Sequence, residues 1–143
     1  MLEGRIGNLS GAPYVEARIS FPQLGFRGLV SFLVDTGADG TVLMPADTKR
    51  LGIDFSSLRN PTTSEGIGGA ARGFVERAVL SFSDRRYIYA YLLPIEVSAP
   101  TRYNLRFPSL LGRDILKQWR FVMDVPKQQV TFTPRTWKLR KKI

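Results

Sequence analysis

A mainly β fold is predicted by three features of this chain. Short runs rich in branched and aromatic residues recur along it, turns containing Gly or Pro separate them, and only two segments carry helix signals. Residues 14–19 alternate in part and read as one strand. Residues 29–34, apolar except for Ser31, read as a buried strand. A short helix is expected over 45–51: Pro45 opens it, Lys49 and Arg50 sit in its last turn, and Gly52 follows. Residues 73–82 and 87–97 flank the polar break Ser83-Asp84-Arg85-Arg86 and are expected to form a hairpin. A second helix is expected over 113–119, where Ile115, Leu116 and Trp119 share a face. A last hairpin joins 121–123 to 130–132 across residues 125–129.

Length allows one core and not two, since 143 residues at 43% hydrophobic content suit a single domain. No stretch approaches the roughly 20 apolar residues that span a bilayer, so a soluble chain is expected. Residues 1–11 lack the charged start and apolar core of a secretory leader. Together with the absence of cysteine, this fits a cytoplasmic location. Lack of both cysteine and histidine removes the usual zinc ligands and the Ser-His and Cys-His nucleophilic pairs. No metal or cofactor is expected, and any hydrolysis must run on carboxylates.

The formal charge of +9 raises the question of a nucleic-acid partner. Five of those charges lie in residues 133–143, as Arg135, Lys138, Arg140, Lys141 and Lys142. This end reads as a solvated basic tail, with contact to a polyanion or a membrane surface as the other possibility. Trp137 and Leu139 keep open a strand that pairs with another chain. The tail has no interleaved aromatics beyond Trp137, which argues against nucleic acid.

The most informative segment is Val34-Asp35-Thr36-Gly37-Ala38-Asp39-Gly40. It sets a carboxylate in a Gly-containing turn directly after an apolar strand, where the acid is held rigidly and backbone can approach closely. The chain has no second copy of this turn. One such carboxylate cannot both donate and accept the protons of an attacked water, whereas two brought together can.

Three segments, in this order, resemble the retropepsins, the retroviral-type aspartic proteases: residues 32–39 followed by Thr41-Val42-Leu43, the glycine-rich Gly66-Ile67-Gly68-Gly69, and Ser109-Leu110-Leu111-Gly112-Arg113-Asp114-Ile115-Leu116. The resemblance covers about 14–132, which sets a protease domain between an N-terminal segment, 1–13, and the tail, 133–143. It implies a closed acid-protease barrel with two short helices and a glycine-rich flap hairpin.

The activity it implies is homodimeric aspartic endopeptidase action on a protein or peptide substrate, with one Asp35 from each subunit. Two carboxylates about 3 Å apart cannot both ionise cheaply and so share one proton. The charged one takes a proton from water while the neutral one protonates the scissile carbonyl. Thr36 is implied to hydrogen-bond across the dimer axis, and the Gly37 carbonyl to accept a peptide N–H. Ala38 and Asp39 belong to the substrate-binding set with Gly66, Ile67, Gly68 and Gly69, whose exposed amides would close over the peptide. Arg113 is implied to meet Asp39 in a partly buried, bidentate ion pair whose loss would cost about 3–5 kcal/mol. Apolar pockets are expected from Val42, Leu43, Ile67 and the 103–107 loop, with a Pro-containing loop near 94–108 beside the cleft.

The chain departs from the viral pattern at Gly40, at the added helix over 45–53 and at Ala70-Ala71-Arg72. Neither terminus resembles the interleaved strands by which viral enzymes dimerise. Two other functions stay open: a non-catalytic retropepsin-like peptide-binding or dimerisation module, and a small basic β-barrel that binds nucleic acid through its tail.

Overall fold

The computed structural model describes residues 1–66 and 69–143, with side chains described outside 64–71. Its strands are β1 (Leu2–Glu3), β2 (Arg5–Ile6), β3 (Pro13–Phe21), β4 (Phe26–Val34), β5 (Val42–Leu43), β6 (Pro61–Gly66), β7 (Gly69–Ser83), β8 (Tyr87–Ser98), β9 (Leu110–Leu111), β10 (Trp119–Asp124), β11 (Gln129–Pro134) and β12 (Leu139–Lys142). Two helices, α1 (Pro45–Leu51) and α2 (Arg113–Leu116), and a 3-10 turn at Phe55–Ser57 complete the fold.

Alternation creates the barrel wall. On β3 the side chains of Val15, Ala17, Ile19 and Phe21 are buried while Glu16 and Arg18 face water, and on β4 Val30, Phe32 and Val34 continue the inner face. The turn between them ends at Gly25, whose φ of 77° is a conformation that favours glycine. Six strands close the barrel in the order β3-β4-β9-β5-β8-β7, with β7 returning to β3. Closure is possible because the long strands change partners along their length. One end of β7 pairs with β6 and its other end with β3, while β8 meets β12 near its start and β5 near its end.

A separate three-stranded sheet, β1-β11-β10, packs Leu2, Val130, Phe132 and Trp119 into the same core. The Trp119 ring meets Phe82 edge-on at 4.7 Å and lies 5.2 Å from Phe132. Its indole N–H donates to the Tyr91 hydroxyl at 2.8 Å, which in turn donates to the Thr136 carbonyl at 2.8 Å. The polar tips of two buried aromatics are thereby satisfied.

The predicted elements are present, with extended ends. Pairing carries strand structure to β3 13–21, β7 69–83 and β8 87–98, and Pro94 lies within β8 opposite Arg77, so the connecting loop starts after Ser98. Helix α1 has the expected bounds, and Gly52 ends it at φ 75°, donating to the Thr48 and Lys49 carbonyls. Helix α2 is shorter than expected, because Trp119 leaves the helix to begin β10. The basic end is also corrected. Residues 139–142 pair with β8 of the same chain, so this part of the basic end is an exposed edge strand of the larger sheet and not a free tail. Residues of the N-terminal segment pair as well, β1 with β11 and β2 with β3. No helix among the described residues is long and apolar enough to cross a membrane.

Candidate active site

The Asp35 turn is fastened from below by β9. Parallel pairing sets Leu33 beside Leu110 and Val34 beside Leu111, and the Asp35 amide donates to the Leu111 carbonyl at 3.0 Å. Above that anchor the chain turns sharply: Ala38 N–H donates to the Asp35 carbonyl at 3.2 Å, and Gly37 N–H to Asp35 Oδ1 at 2.9 Å. The Asp35 side chain is half-exposed, and Gly37 N–H is its one protein partner among the described residues. A carboxylate with one oxygen fixed by a backbone amide and a rigid main chain beneath it is oriented before any ligand arrives.

Thr36 and Gly37 are exposed on the turn, and Ala38 is half-buried. Arg113 holds them from the side. Its backbone N–H donates to the Ala38 carbonyl at 2.9 Å and its Nη1 to the Thr36 carbonyl at 2.8 Å, while Nη2 meets Asp39 Oδ1. The ion pair therefore differs from the expected one. It is not bidentate, since the guanidinium divides its contacts between a carboxylate and a carbonyl. Nor is it buried, for the Asp39 side chain is 95% and the Arg113 side chain 49% exposed. An exposed pair of this kind contributes about 0–1 kcal/mol, well below the 3–5 kcal/mol expected of a buried one.

The buried clamp is Thr41 with Asp114. Thr41 is 1% exposed; its backbone N–H donates to Asp114 Oδ2 at 2.9 Å and its hydroxyl to Asp114 Oδ1 at 2.8 Å. The same hydroxyl accepts from Gly112 N–H at 3.3 Å, and Oδ1 also accepts from Ile115 N–H at 2.9 Å. This network ties the end of the Asp35 turn to the start of α2. Gly112 permits the approach: a Cβ there would lie 2.4 Å from the Gly40 carbonyl oxygen and 2.9 Å from Gly40 Cα. Gly40 is thus the partner surface of Gly112.

A second network, around Ser109, fixes α1. Ser109 Oγ accepts from Met44 N–H at 2.9 Å and donates to Asp47 Oδ2 at 2.6 Å. Asp47 Oδ1 accepts from Arg50, which also donates to the Leu29 carbonyl. The patterns in the sequence single out neither Thr41–Asp114 nor Ser109–Asp47. The available signal was polar residue type within otherwise apolar segments, as in Ser109 before Leu110-Leu111.

The flap assignments divide. Gly66 and Gly69 pair at the end of the β6–β7 hairpin, whereas Ile67 and Gly68 lie outside the described residues. Of the expected pocket residues, Val42 is half-buried and Tyr103, Leu105 and Phe107 are exposed, but Leu43 is fully buried in the core and cannot line a cleft. An apolar cavity of about 410 Å³ lies between α1 and the 99–109 loop, lined by Pro45, Ala46, Ile53, Phe55, Pro100 and Leu105 among others. No group of three or more metal-ligating side chains occurs among the described residues.

Known proteins share both pattern and architecture. A family profile described as aspartyl protease matches residues 27–84, from β4 through the Asp35 turn and α1 to the β6–β7 hairpin. A retropepsin-like aspartic protease from Rickettsia conorii is similar in structure at a TM-score of 0.58 and 21% identity, over 90% of this chain and 96% of that one. EIAV protease, in complex with the inhibitor HBY-793, is similar at a TM-score of 0.53 and 26% identity, over 78% of this chain and 90% of that one. No curated protein matches closely enough to count as a relative. The chain thus carries an aspartyl-protease sequence pattern over residues 27–84 on a barrel whose fold is similar to that of retropepsin-like aspartic proteases.

Proposed function

We propose that the chain is a homodimeric aspartic endopeptidase whose catalytic residue is Asp35, one from each subunit. The observation that carries this reading is a half-exposed carboxylate on a turn fixed to β9 and α2, with no second acid bonded to it among the described residues. A half-site of this kind needs a twin. With two facing carboxylates about 3 Å apart sharing one proton, the ionised member accepts a proton from the attacking water and the neutral member protonates the carbonyl oxygen. Thr36 positions the pair across the axis, the Gly37 carbonyl accepts a substrate N–H, and Ala38 leaves room for the peptide. Asp39 and the flap residues Gly66, Ile67, Gly68 and Gly69 bind the extended peptide backbone.

The test is cleavage of a proteome-derived peptide library by the purified chain and by Asp35→Asn. Asp35→Asn keeps the shape of the side chain while removing its charge. Loss of cleavage by about 10²–10⁴-fold supports the proposal, in keeping with the removal of a general acid–base group. Equal cleavage by both proteins overturns it. Peptide binding that survives in Asp35→Asn, with no cleavage by either protein, assigns the chain to the non-catalytic binding module.

A further inference from the structure

The site as proposed is incomplete without a second copy of the chain, and β10 offers an edge with the register to receive one. This strand ends the three-stranded sheet: β11 covers one side, and no strand among the described residues pairs with the other. It follows α2 directly, so Trp119 lies six residues, at most about 20 Å of chain, from the Arg113 that grips the Asp35 turn.

Its side chains divide by face. Trp119, Phe121 and Met123 pack toward the core, while Arg120, Val122 and Asp124 line the outer face, with Val122 42% exposed. That outer triplet is complementary to itself when reversed. We propose that β10 pairs antiparallel with β10 of a second copy in the register that sets Val122 opposite Val122, joining the two sheets into one of six strands across the dimer axis. Arg120 then faces Asp124 of the other copy, twice, and Phe121 faces Met123 on the inner side.

Other registers fail on simple grounds. A shift by one residue sets core-facing side chains opposite outward ones. A shift by two sets Val122 opposite Arg120 or Asp124 and leaves the charges without counterparts, and a shift by four opposes two arginines or two aspartates at the axis. Only the register centred on Val122 pairs opposite charges and covers the exposed valine with its twin. The inference rests on the dimeric reading above and names the surface that reading requires.

Charge reversal tests it. In sedimentation across a concentration series, Arg120→Asp and Asp124→Arg each set like charges opposite one another twice, and each is expected to raise the dimer dissociation constant at least about tenfold. The double variant exchanges the charges and is expected to return to within about threefold of the original. A dimer insensitive to both single changes, or a double variant no better than the singles, overturns the register. A chain that stays monomeric at about 1 mM overturns the interface altogether.

A second measurement does not depend on affinity. The chain has no cysteine, so Val122→Cys carries a single thiol. Two such thiols at the axis give up two electrons and two protons to diamide and form one disulfide. Rapid cross-linking of Val122→Cys, but not of the equally exposed Leu92→Cys on β8, supports the pairing; equal or absent cross-linking overturns it. Because both assays read association alone, they separate from the Asp35→Asn result. Cleavage without this interface leaves the protease reading intact, and this interface without cleavage leaves the pairing intact.

Discussion

Replacing Thr41 by Val removes one hydroxyl and keeps the shape, so it isolates the buried clamp under the Asp35 turn. The hydroxyl's bond to Asp114 Oδ1, at 2.8 Å, is a bond to a carboxylate and contributes about 1.5–3 kcal/mol. Its loss also leaves the buried Gly112 N–H without its 3.3 Å acceptor, at about 1–3 kcal/mol if the contact is fully formed. That bond is long, so its share belongs at the low end, and the sum is about 2–4 kcal/mol. For a chain of this length a kcal/mol shifts the melting temperature by about 2–4 °C, which makes the expected loss roughly 5–15 °C. By contrast Asp39→Ala, which breaks an exposed pair, is expected to cost no more than about 1 kcal/mol. Both proteins are to be compared by thermal unfolding and by urea denaturation at neutral pH. A Thr41→Val protein that melts within about 1 °C of the original, or an Asp39→Ala protein that loses more than Thr41→Val, refutes the assignment of the clamp.

Gly112→Ala sets a methyl group 2.4 Å from a backbone oxygen that cannot rotate away; misfolding or a loss beyond about 3 kcal/mol is expected, and a stable, folded variant in circular dichroism contradicts the packing. Peptide cleavage is expected to follow a bell-shaped pH profile with its optimum on the acid side of neutrality, whereas a plateau through alkaline pH contradicts a shared-proton pair. Asp84 supplies a stability signature in acid. Burial pushes its carboxyl up, but hydrogen bonds from the amino terminus and the Arg86 and Tyr87 amides, with the attraction of the terminal charge, outweigh it and hold the group below its usual value. A group depressed on folding stabilises the protein above the unfolded-state value, about 4, and loses that contribution as pH falls through the folded value. Asp84→Asn is therefore expected to lower stability near neutrality and to match the original in strong acid; a constant difference across pH refutes the coupling.

What the sequence revealed was local. Pro45 and Gly52 bracket α1 because the first lacks an N–H that a helix start leaves unpaired, while the second accepts a left-handed ending. The Asp35 turn was legible because its strand, acid and glycine are contiguous. Distant partners were hidden. Thr41 and Asp114 lie 73 positions apart, and either alone reads as an ordinary polar residue in a loop or a helix start. The Asp39–Arg113 contact could be expected from the resemblance, yet its exposure depends on how α2 meets the turn, and periodicity does not encode that. The last strand was missed for a similar reason. Its four residues are all exposed and three of them are cations, so only the pairing of Leu139 with Ala90 and Lys142 with Tyr87 marks it as part of the sheet.

That final strand also guards the molecule against itself. Without β12, the beginning of β8 would offer the bare backbone of Tyr87 to Ala90 to any extended segment. With it in place, the outermost rung of the barrel presents Arg140, Lys141 and Lys142, whose mutual repulsion makes head-on stacking of barrels into filaments unfavourable. The cations near this end of the sequence thus lie on the open edge of the sheet, where like charges oppose the pairing of one barrel with the next.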